Sequence, residues 1–129
     1  MSLHIQHIAV NIASEEQLSE AEAFYTMLGG IPLKRPPVLE ADTPGGWLGF
    51  GDTQLHLLVG KPLPEGAHFA LHLGERYDEI VEAARKAGAF KRQARPMWGA
   101  RRCFVTDPSG NLIELFESPP PSEPSGDLG

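Results

Sequence analysis

The stretch WGARRCFVTDPSGNLIELFE, residues 98–117, predicts a β-hairpin from which the rest of the chain can be interpreted. Five strong turn residues, Asp-Pro-Ser-Gly-Asn at 107–111, separate two segments that favour strands. Because side chains alternate along a strand, Glu114 shares one face with Leu112 and Phe116. A carboxylate between two apolar side chains is costly to bury unless a positive group pairs with it. A metal ion with further ligands nearby would supply that positive group.

The composition is that of an ordinary globular chain of 129 residues, long enough to bury one core. A net charge of −6 without a basic stripe argues against a nucleic-acid partner. The single cysteine, Cys103, excludes an internal disulfide. Neither a signal peptide nor an apolar run of roughly 18 residues is visible. We therefore expect a cytoplasmic protein that acts on a small molecule and has no membrane partner.

Two similar patterns of hydrophobic periodicity divide the chain. Residues 3–60 and 66–118 each predict a strand, a helix and three further strands, although the two copies share little identity. The sequence therefore predicts an α+β fold in which two βαβββ modules form a single domain over residues 3–118. The tail, residues 119–129, is rich in Pro, Ser and Gly and is expected to be disordered.

The predicted elements of each module follow from periodicity and turn residues. In the first module we expect a helix that begins at Ser14, because Ser-Glu-Glu-Gln is a capping-box pattern in which Gln17 bonds back. The predicted strands of that module are 3–12, a broken edge strand 31–38, 47–50 and 53–59. The second module is predicted to have strands 68–73 and 89–95 around a helix 75–87, followed by the hairpin.

Four side chains occupy matching places in the two modules. His7 and His68 lie on the mixed face of each first strand, and His56 and Glu114 lie on the mixed face of each last strand. If a pseudo-twofold axis relates the modules, the four residues converge in a cleft. Any one such histidine is more often a hydrogen-bonded residue than a ligand, but four at equivalent positions favour a metal. Imidazole and carboxylate suit Zn²⁺, Ni²⁺, Co²⁺, Fe²⁺ or Mn²⁺.

The segment 91–102 is basic and allows two interpretations. One is a solvated strand and loop. The other is an anion contact at the mouth of a site, where a loop with Trp98 and Arg101 closes over an acidic substrate. His72 lies on the same strand face as His68 and could line the cavity or support a ligand, although a hydrogen-bonded histidine is the commoner role.

These features resemble the vicinal oxygen chelate superfamily, the glyoxalase, bleomycin-resistance and extradiol-dioxygenase group, over about residues 3–118. The matching motifs are Gln6-His7-Ile8-Ala9-Val10, Ala67-His68-Phe69-Ala70-Leu71 and Pro96-x-Trp98-Gly99 followed by Asp107-Pro108-x-Gly110-Asn111-x-x-Glu114. The resemblance implies paired βαβββ modules whose sheets curve around a metal-binding cleft. It also implies a homodimer, or a fused equivalent of one.

The resemblance implies two alternative ligand sets. Glyoxalase-I-like members take ligands from the first and last strands of both modules, which here are His7, His56, His68 and Glu114. Those members typically carry a glutamate at the position of His56. Ring-cleaving dioxygenases and fosfomycin-inactivating thiol transferases use two histidines and one carboxylate. His7, His68 and Glu114 would satisfy that set and leave His56 to face the substrate.

Three functions follow as hypotheses. The first is a divalent-metal-dependent glyoxalase-like lyase or isomerase that acts on a small oxygenated metabolite through a stabilised enediolate, with Glu114 and His56 as catalytic residues. The second is a non-haem Fe(II) ring-cleaving dioxygenase that uses His7, His68 and Glu114. The third is a metal-free module that binds a drug or metabolite without chemistry.

Overall fold

The computed structural model describes residues 3–121, apart from the side chains of residues 40–42. Residues 122–129 of the predicted tail lie outside this range, so the disorder of the tail stays a prediction. The described chain contains two four-stranded mixed sheets, one in each βαβββ module. The predicted α+β fold is confirmed. In the same part of the chain, no helix has the length and apolar character needed to cross a membrane.

The chain divides into two compact units, which differ from the two modules at one turn. Among the described residues, the first unit comprises residues 3–65 together with the turn Asp107–Asn111. The second unit comprises residues 66–106 and 112–121. The turn joins two strands of the second module, but its contacts place it in the first unit.

The first module contains one sheet and the helix that covers it. Its elements are the strands β1 His7–Ile12, β2 Ile31–Leu33, β3 Gly45–Phe50 and β4 Thr53–Val59, and the helices α1 Leu18–Met27 and α2 Pro37–Asp42. The strand order is β1-β4-β3-β2, with β1 parallel to β4 and the other pairs antiparallel. The apolar side of the sheet and the stripe of α1 form a buried core, with Val10, Ile12, Leu55, Leu57, Ala21 and Tyr25 all at most 2% exposed.

The second module repeats this arrangement. Its elements are the strands β5 His68–His72, β6 Phe90–Met97, β7 Ala100–Thr106 and β8 Leu112–Phe116, and the helix α3 Tyr77–Lys86. The strand order is β5-β8-β7-β6, again with one parallel pair, β5 with β8. Ile113 and Leu115 are fully buried on the side of the apolar stripe of α3. The hairpin of β7 and β8 agrees with the prediction.

Two predictions for the first module are wrong in detail. Residues 31–38 do not form one broken strand, because Pro37 starts the short helix α2, where its fixed φ and missing N–H are tolerated. Ser14 makes no side-chain capping bond, and a 3-10 turn, Glu15–Gln17, precedes α1. The Gln17 side chain instead accepts a hydrogen bond of 2.7 Å from the Ser109 hydroxyl. The Gln17 side chain, which the capping box would have used, therefore bonds to the turn 107–111.

The turn 107–111 is built on a buried carboxylate. Asp107 is 5% exposed and accepts hydrogen bonds from the Tyr25 hydroxyl at 2.7 Å, from the backbone N–H groups of Ser109 and Asn111, and from the Asn111 amide. Burial, reinforced by this carboxylate, raises the pKa of Tyr25 far above its usual range, so the hydroxyl stays a donor. The Asn111 amide also donates to the Asn11 carbonyl at 2.8 Å. The Asp-Pro-Ser-Gly-Asn sequence therefore fixes this turn to the first unit.

Candidate functional site

Strand register places His7 and His56 side by side in the first module. His56 pairs with Ala9 across the parallel pair of β1 and β4, and His7 is two residues before Ala9 on the same face. On its other side, His56 pairs with Trp47 of β3. The result is an aromatic stack: the His56 ring lies 4.1 Å from the His7 ring and 4.0 Å from the Trp47 ring, with interplanar angles of 15° and 3°.

The stack restricts how its two imidazoles can bind a cation. The lone pair of a ligand nitrogen lies in the plane of its ring, and a metal–nitrogen bond is about 2.0–2.1 Å long. The His7 and His56 rings are nearly parallel, so their planes do not meet at one point so close to both rings. In this arrangement His7 and His56 do not fit as ligands of the same ion.

The two rings also differ in their hydrogen bonds. Nδ1 of His7 lies 2.8 Å from Oε1 of Gln6, which leaves Nε2 of His7 as its acceptor. Nε2 of His56 lies 2.9 Å from Oε1 of Gln54, which leaves Nδ1 of His56 as its acceptor. Partial burial, with smaller electrostatic effects of the neighbouring His7 and Arg35, lowers the pKa of His56 below its ordinary value of 6.5. His56 is therefore a neutral imidazole at pH 7.

The same register in the second module brings His68 to Glu114. Glu114 pairs with Ala70, two residues beyond His68, and it pairs with Phe104 on its other side. Glu114 is 7% exposed. Its Oε1 lies 3.2 Å from Nε2 of His68, and its Oε2 accepts a 3.0 Å hydrogen bond from Nη1 of Arg102. The positive group that the buried carboxylate requires is therefore Arg102, which the sequence analysis did not single out.

The tautomer of His68 is fixed by the backbone. Nδ1 of His68 lies 2.9 Å from the Gly66 carbonyl oxygen, which can only accept a hydrogen bond, so Nδ1 carries a proton. In the neutral ring, Nε2 is then an acceptor, and it lies 3.2 Å from Oε1 of Glu114. Two acceptors at 3.2 Å repel each other unless a proton or a cation lies between them. This pair therefore fits a metal ion chemically, and the carbonyl contact is the kind that orients ligating histidines.

Arg101 and Arg102 lie on opposite sides of the second sheet. Arg102 pairs with Phe116 and shares the face of Glu114. Arg101 lies on the α3 side, where it donates to Asp78 at 2.8 Å and to Glu117 at 2.8 Å. The structure therefore does not bring Arg101 to Glu114. The register of the predicted hairpin could have identified Arg102, since residues 102 and 116 face each other across the 107–111 turn.

The other two predicted substrate contacts lie at the Phe116 end of the Glu114 face. The Trp98 ring stacks on Phe116 with centroids 5.4 Å apart and an interplanar angle of 29°. Trp98 has a φ of +53°, and it is the one described non-glycine residue with positive φ. His72 is exposed and pairs with Phe116 across the parallel strands. Sequence analysis also missed Trp47, which the two-residue turn at Gly51 would have placed opposite His56.

Each unit by itself brings together two of the four predicted ligands. No group of three or more His, Cys, Asp or Glu residues is placed to hold a metal ion within residues 3–121, with the side chains of 40–42 set aside. His7 and His56 form the pair in the first unit, and His68 and Glu114 form the pair in the second. A centre that joins the two pairs stays a prediction, and the near-parallel stack allows only one of His7 and His56 in it.

Comparisons with known proteins identify the family of the chain. A family model described as a glyoxalase-like domain matches residues 8–116, most of the chain. The chain therefore belongs to the glyoxalase-like domain family and, with it, to the vicinal oxygen chelate superfamily that the motifs resemble. A search of curated proteins finds no match.

Three solved structures illustrate the range of proteins that share this fold. A glyoxalase family protein from Bacillus anthracis is 26% identical, with a TM-score of 0.77, and the match covers 92% of this chain and 98% of that one. A lactoylglutathione lyase from Agrobacterium tumefaciens is 18% identical over 88% of this chain and 92% of its own, with a TM-score of 0.63. The fosfomycin resistance protein FosX from Listeria monocytogenes is 18% identical over 90% and 92%, with a TM-score of 0.65. The last two show the fold alone.

Proposed function

We propose that the protein is a divalent-metal-dependent enzyme, a glyoxalase-like lyase or isomerase that acts on a small oxygenated metabolite. One observation carries the proposal: in the His68–Glu114 pair, Nε2 of His68 lies 3.2 Å from a carboxylate oxygen, while the Gly66 carbonyl oxygen contacts the other ring nitrogen. Adjacent ligands of one ion, each at about 2.1 Å, lie roughly 3.0–3.4 Å apart. The pair therefore has the separation that two ligands of one metal require.

We assign His7 as the third ligand and leave His56 outside the ligand set. His7 keeps Nε2 free, whereas the near-parallel stack prevents both rings from reaching one ion. Two imidazoles and one carboxylate leave open positions for a substrate. A metal held in this way would act as a Lewis acid toward two neighbouring substrate oxygens.

His56 is the proton acceptor in this proposal. Its lowered pKa keeps the ring neutral at pH 7, and the contact with Gln54 leaves Nδ1 able to accept a proton from a substrate C–H group. Glu114 is a poorer candidate for that step. Both of its oxygens already face a partner, His68 on one side and Arg102 on the other.

Metal analysis tests the proposal directly. Protein purified without chelator is expected to contain about one divalent ion per chain, and Glu114→Gln should weaken metal affinity by more than about 100-fold. His4→Gln is the matched control, because His4 is exposed and lies before β1. Folded wild-type protein that binds no divalent ion would overturn the proposal and favour the metal-free binding module.

Proton exchange tests the role of His56. Small α-hydroxy and α-keto carbonyl compounds are incubated in D₂O with the metal-loaded protein, and C–H exchange is followed by NMR. His56→Gln should lose any exchange that the wild type catalyses while it keeps its metal. Exchange that persists in a metal-loaded His56→Gln protein would remove His56 from this role.

The second candidate is a non-haem Fe(II) ring-cleaving dioxygenase. The observation that favours it is the same exclusion of His56, because two histidines and one carboxylate form the ligand set of many Fe(II) oxygenases. Anaerobic loading with Fe(II), followed by oxygen uptake with a panel of catechols, distinguishes the candidates. Uptake favours the dioxygenase, and its absence across the panel favours the lyase or isomerase.

A further inference from the structure

The face of the second sheet that carries Glu114, here called the Glu114 face, has more positive than negative charge. Glu114 supplies one carboxylate. Two guanidinium groups lie on the same face: Arg102 bonds to Glu114, and Arg92 lies 4.3 Å above the ring of Phe104. A divalent ion at Glu114 would add to this positive surplus. The charge of the face therefore suits an anionic ligand.

Arg102 is fixed in place and still has hydrogen-bond donors to offer. Its Nε donates to the Arg95 carbonyl at 2.8 Å and its Nη1 donates to Glu114 at 3.0 Å. Within the described residues, Nη2 has no hydrogen-bond partner, and the side chain remains 19% exposed. A guanidinium held at two points loses little further freedom when it binds a carboxylate.

An aromatic wall adjoins this guanidinium. Phe116 lies directly across the strands from Arg102 and carries the Trp98 ring on it, while Phe104 contacts His68 edge to face at 5.3 Å. Phe116 and Phe104 are only 8% and 4% exposed, so the half-buried Trp98 ring is the aromatic surface that a ligand can reach. A flat ring of this kind favours a flat ligand, because stacking adds to the gain from apolar burial.

The backbone of Trp98 indicates that this ring position matters. Its φ of +53° belongs to the left-handed region, which is unfavourable for a large side chain and rarely adopted by one. Nε1 of Trp98 is also buried without a hydrogen-bond partner among the described residues. The turn thus keeps an unfavourable residue whose visible effect is to place an aromatic ring on Phe116.

We propose that the substrate is a planar organic anion, an aromatic or conjugated carboxylate. Its carboxylate binds Arg102, and its flat body lies along Trp98. The inference rests on the proposed function, because it names the substrate class of the same site. It makes Arg102, and not Arg101, the residue that recognises the anion.

Binding of simple probes tests the substrate class. Calorimetry on the metal-loaded wild type compares benzoate with benzamide, which keeps the ring without the charge, and with acetate, which keeps the charge without the ring. Benzoate should bind at least about tenfold more tightly than either, as expected for one charged hydrogen-bonded contact and one stacked ring. Equal affinity for benzoate and benzamide in a protein that holds its metal would overturn the substrate class and leave the metal proposal intact.

Two neighbouring arginines provide the matched variants. Arg102→Met should weaken benzoate binding by about tenfold or more. Arg102→Lys should restore part of the loss, because lysine keeps the positive charge but lacks the planar guanidinium that binds a carboxylate through two hydrogen bonds. Arg101→Met should change benzoate affinity by less than about twofold, since Arg101 bonds to Asp78 and Glu117 on the other face. If Arg101→Met weakens benzoate binding and neither folded Arg102 variant does, the assignment of Arg102 is wrong.

Discussion

At the centre of the last strand of the first module lies a neutral imidazole, His56, stacked between His7 and Trp47. At the equivalent place in the second module lies a buried carboxylate, Glu114, held by His68 and Arg102. The strand register is the same in both, so the backbone does not explain the difference. A neutral ring is satisfied by stacking, whereas a buried charge needs a cation. One repeated scaffold therefore provides an aromatic stack in one copy and a charged cluster in the other.

Each module has an arginine beside the centre of its sheet, but the two arginines come from different positions in the module. The position equivalent to Arg102 in the first module is Gly45, which pairs with Leu58 as Arg102 pairs with Phe116. A Cβ on Gly45 would lie 3.4 Å from the guanidinium carbon of Arg35, so Arg35 lies beside the place where an Arg102-like side chain would begin. Without a carboxylate at this centre, Arg35 bonds to Thr43, and it adds to the effect of burial in lowering the pKa of His56.

The largest expected effect is on stability, and it distinguishes the turn between β7 and β8 from the turn between β3 and β4. Asp107→Ala removes a buried carboxylate that accepts hydrogen bonds from Tyr25, Ser109 and Asn111, so it should lower the free energy of unfolding by about 3 kcal/mol or more. Asp52→Ala, in the exposed turn between β3 and β4, should change it by less than about 0.5 kcal/mol. Urea denaturation measures both. Similar losses in the two variants would contradict the difference drawn between the turns.

The next effect is on metal affinity, and it compares a histidine of the second module with one of the first. His68→Gln should reduce the affinity for a divalent ion by about 100-fold, because it removes the nitrogen that faces Glu114. His56→Gln should reduce it by less than about threefold, because the stack keeps this ring out of the ligand set. Competition with a chromogenic chelator gives both values. An equal loss of metal affinity in the two variants would instead support a metal centre with all four predicted ligands.

The smallest effect is a pH dependence confined to the first module. Burial disfavours the imidazolium of His56, so its pKa in the folded protein lies below that in the unfolded chain. The unfolded state then binds more protons, and the resulting stability is complete above about pH 6.5 and is lost as the pH falls through the folded pKa.

Fluorescence of the stacked Trp47 reports this protonation. Its emission should fall with a midpoint below about pH 6.5, because a protonated imidazole against the indole quenches it. Trp47→Phe should lose the transition and Trp98→Phe should keep it, since Trp98 stacks on Phe116. A midpoint at or above 6.5 would contradict the lowered pKa.

Much of the fold and part of the site followed from local patterns. Alternation and turn residues predicted the hairpin of β7 and β8, and the repeated periodicity predicted both modules. The position of Glu114 on its strand also indicated that it needs a positive partner. The capping box at Ser14 failed because a distant turn bonds Gln17, and α2 was missed because Pro37 was interpreted as a strand breaker.

By itself, the sequence determined which residues alternate to which strand face, and hence the chemical types available at the centre of each sheet. Only the tertiary structure decided their partners: Arg102 at Glu114, Trp47 on His56, and Arg101 turned toward Asp78. The physical reason is that periodicity is a property of neighbours along the chain. Hydrogen bonds and ring contacts depend on the register between strands, which brings residues far apart in sequence within a few ångströms.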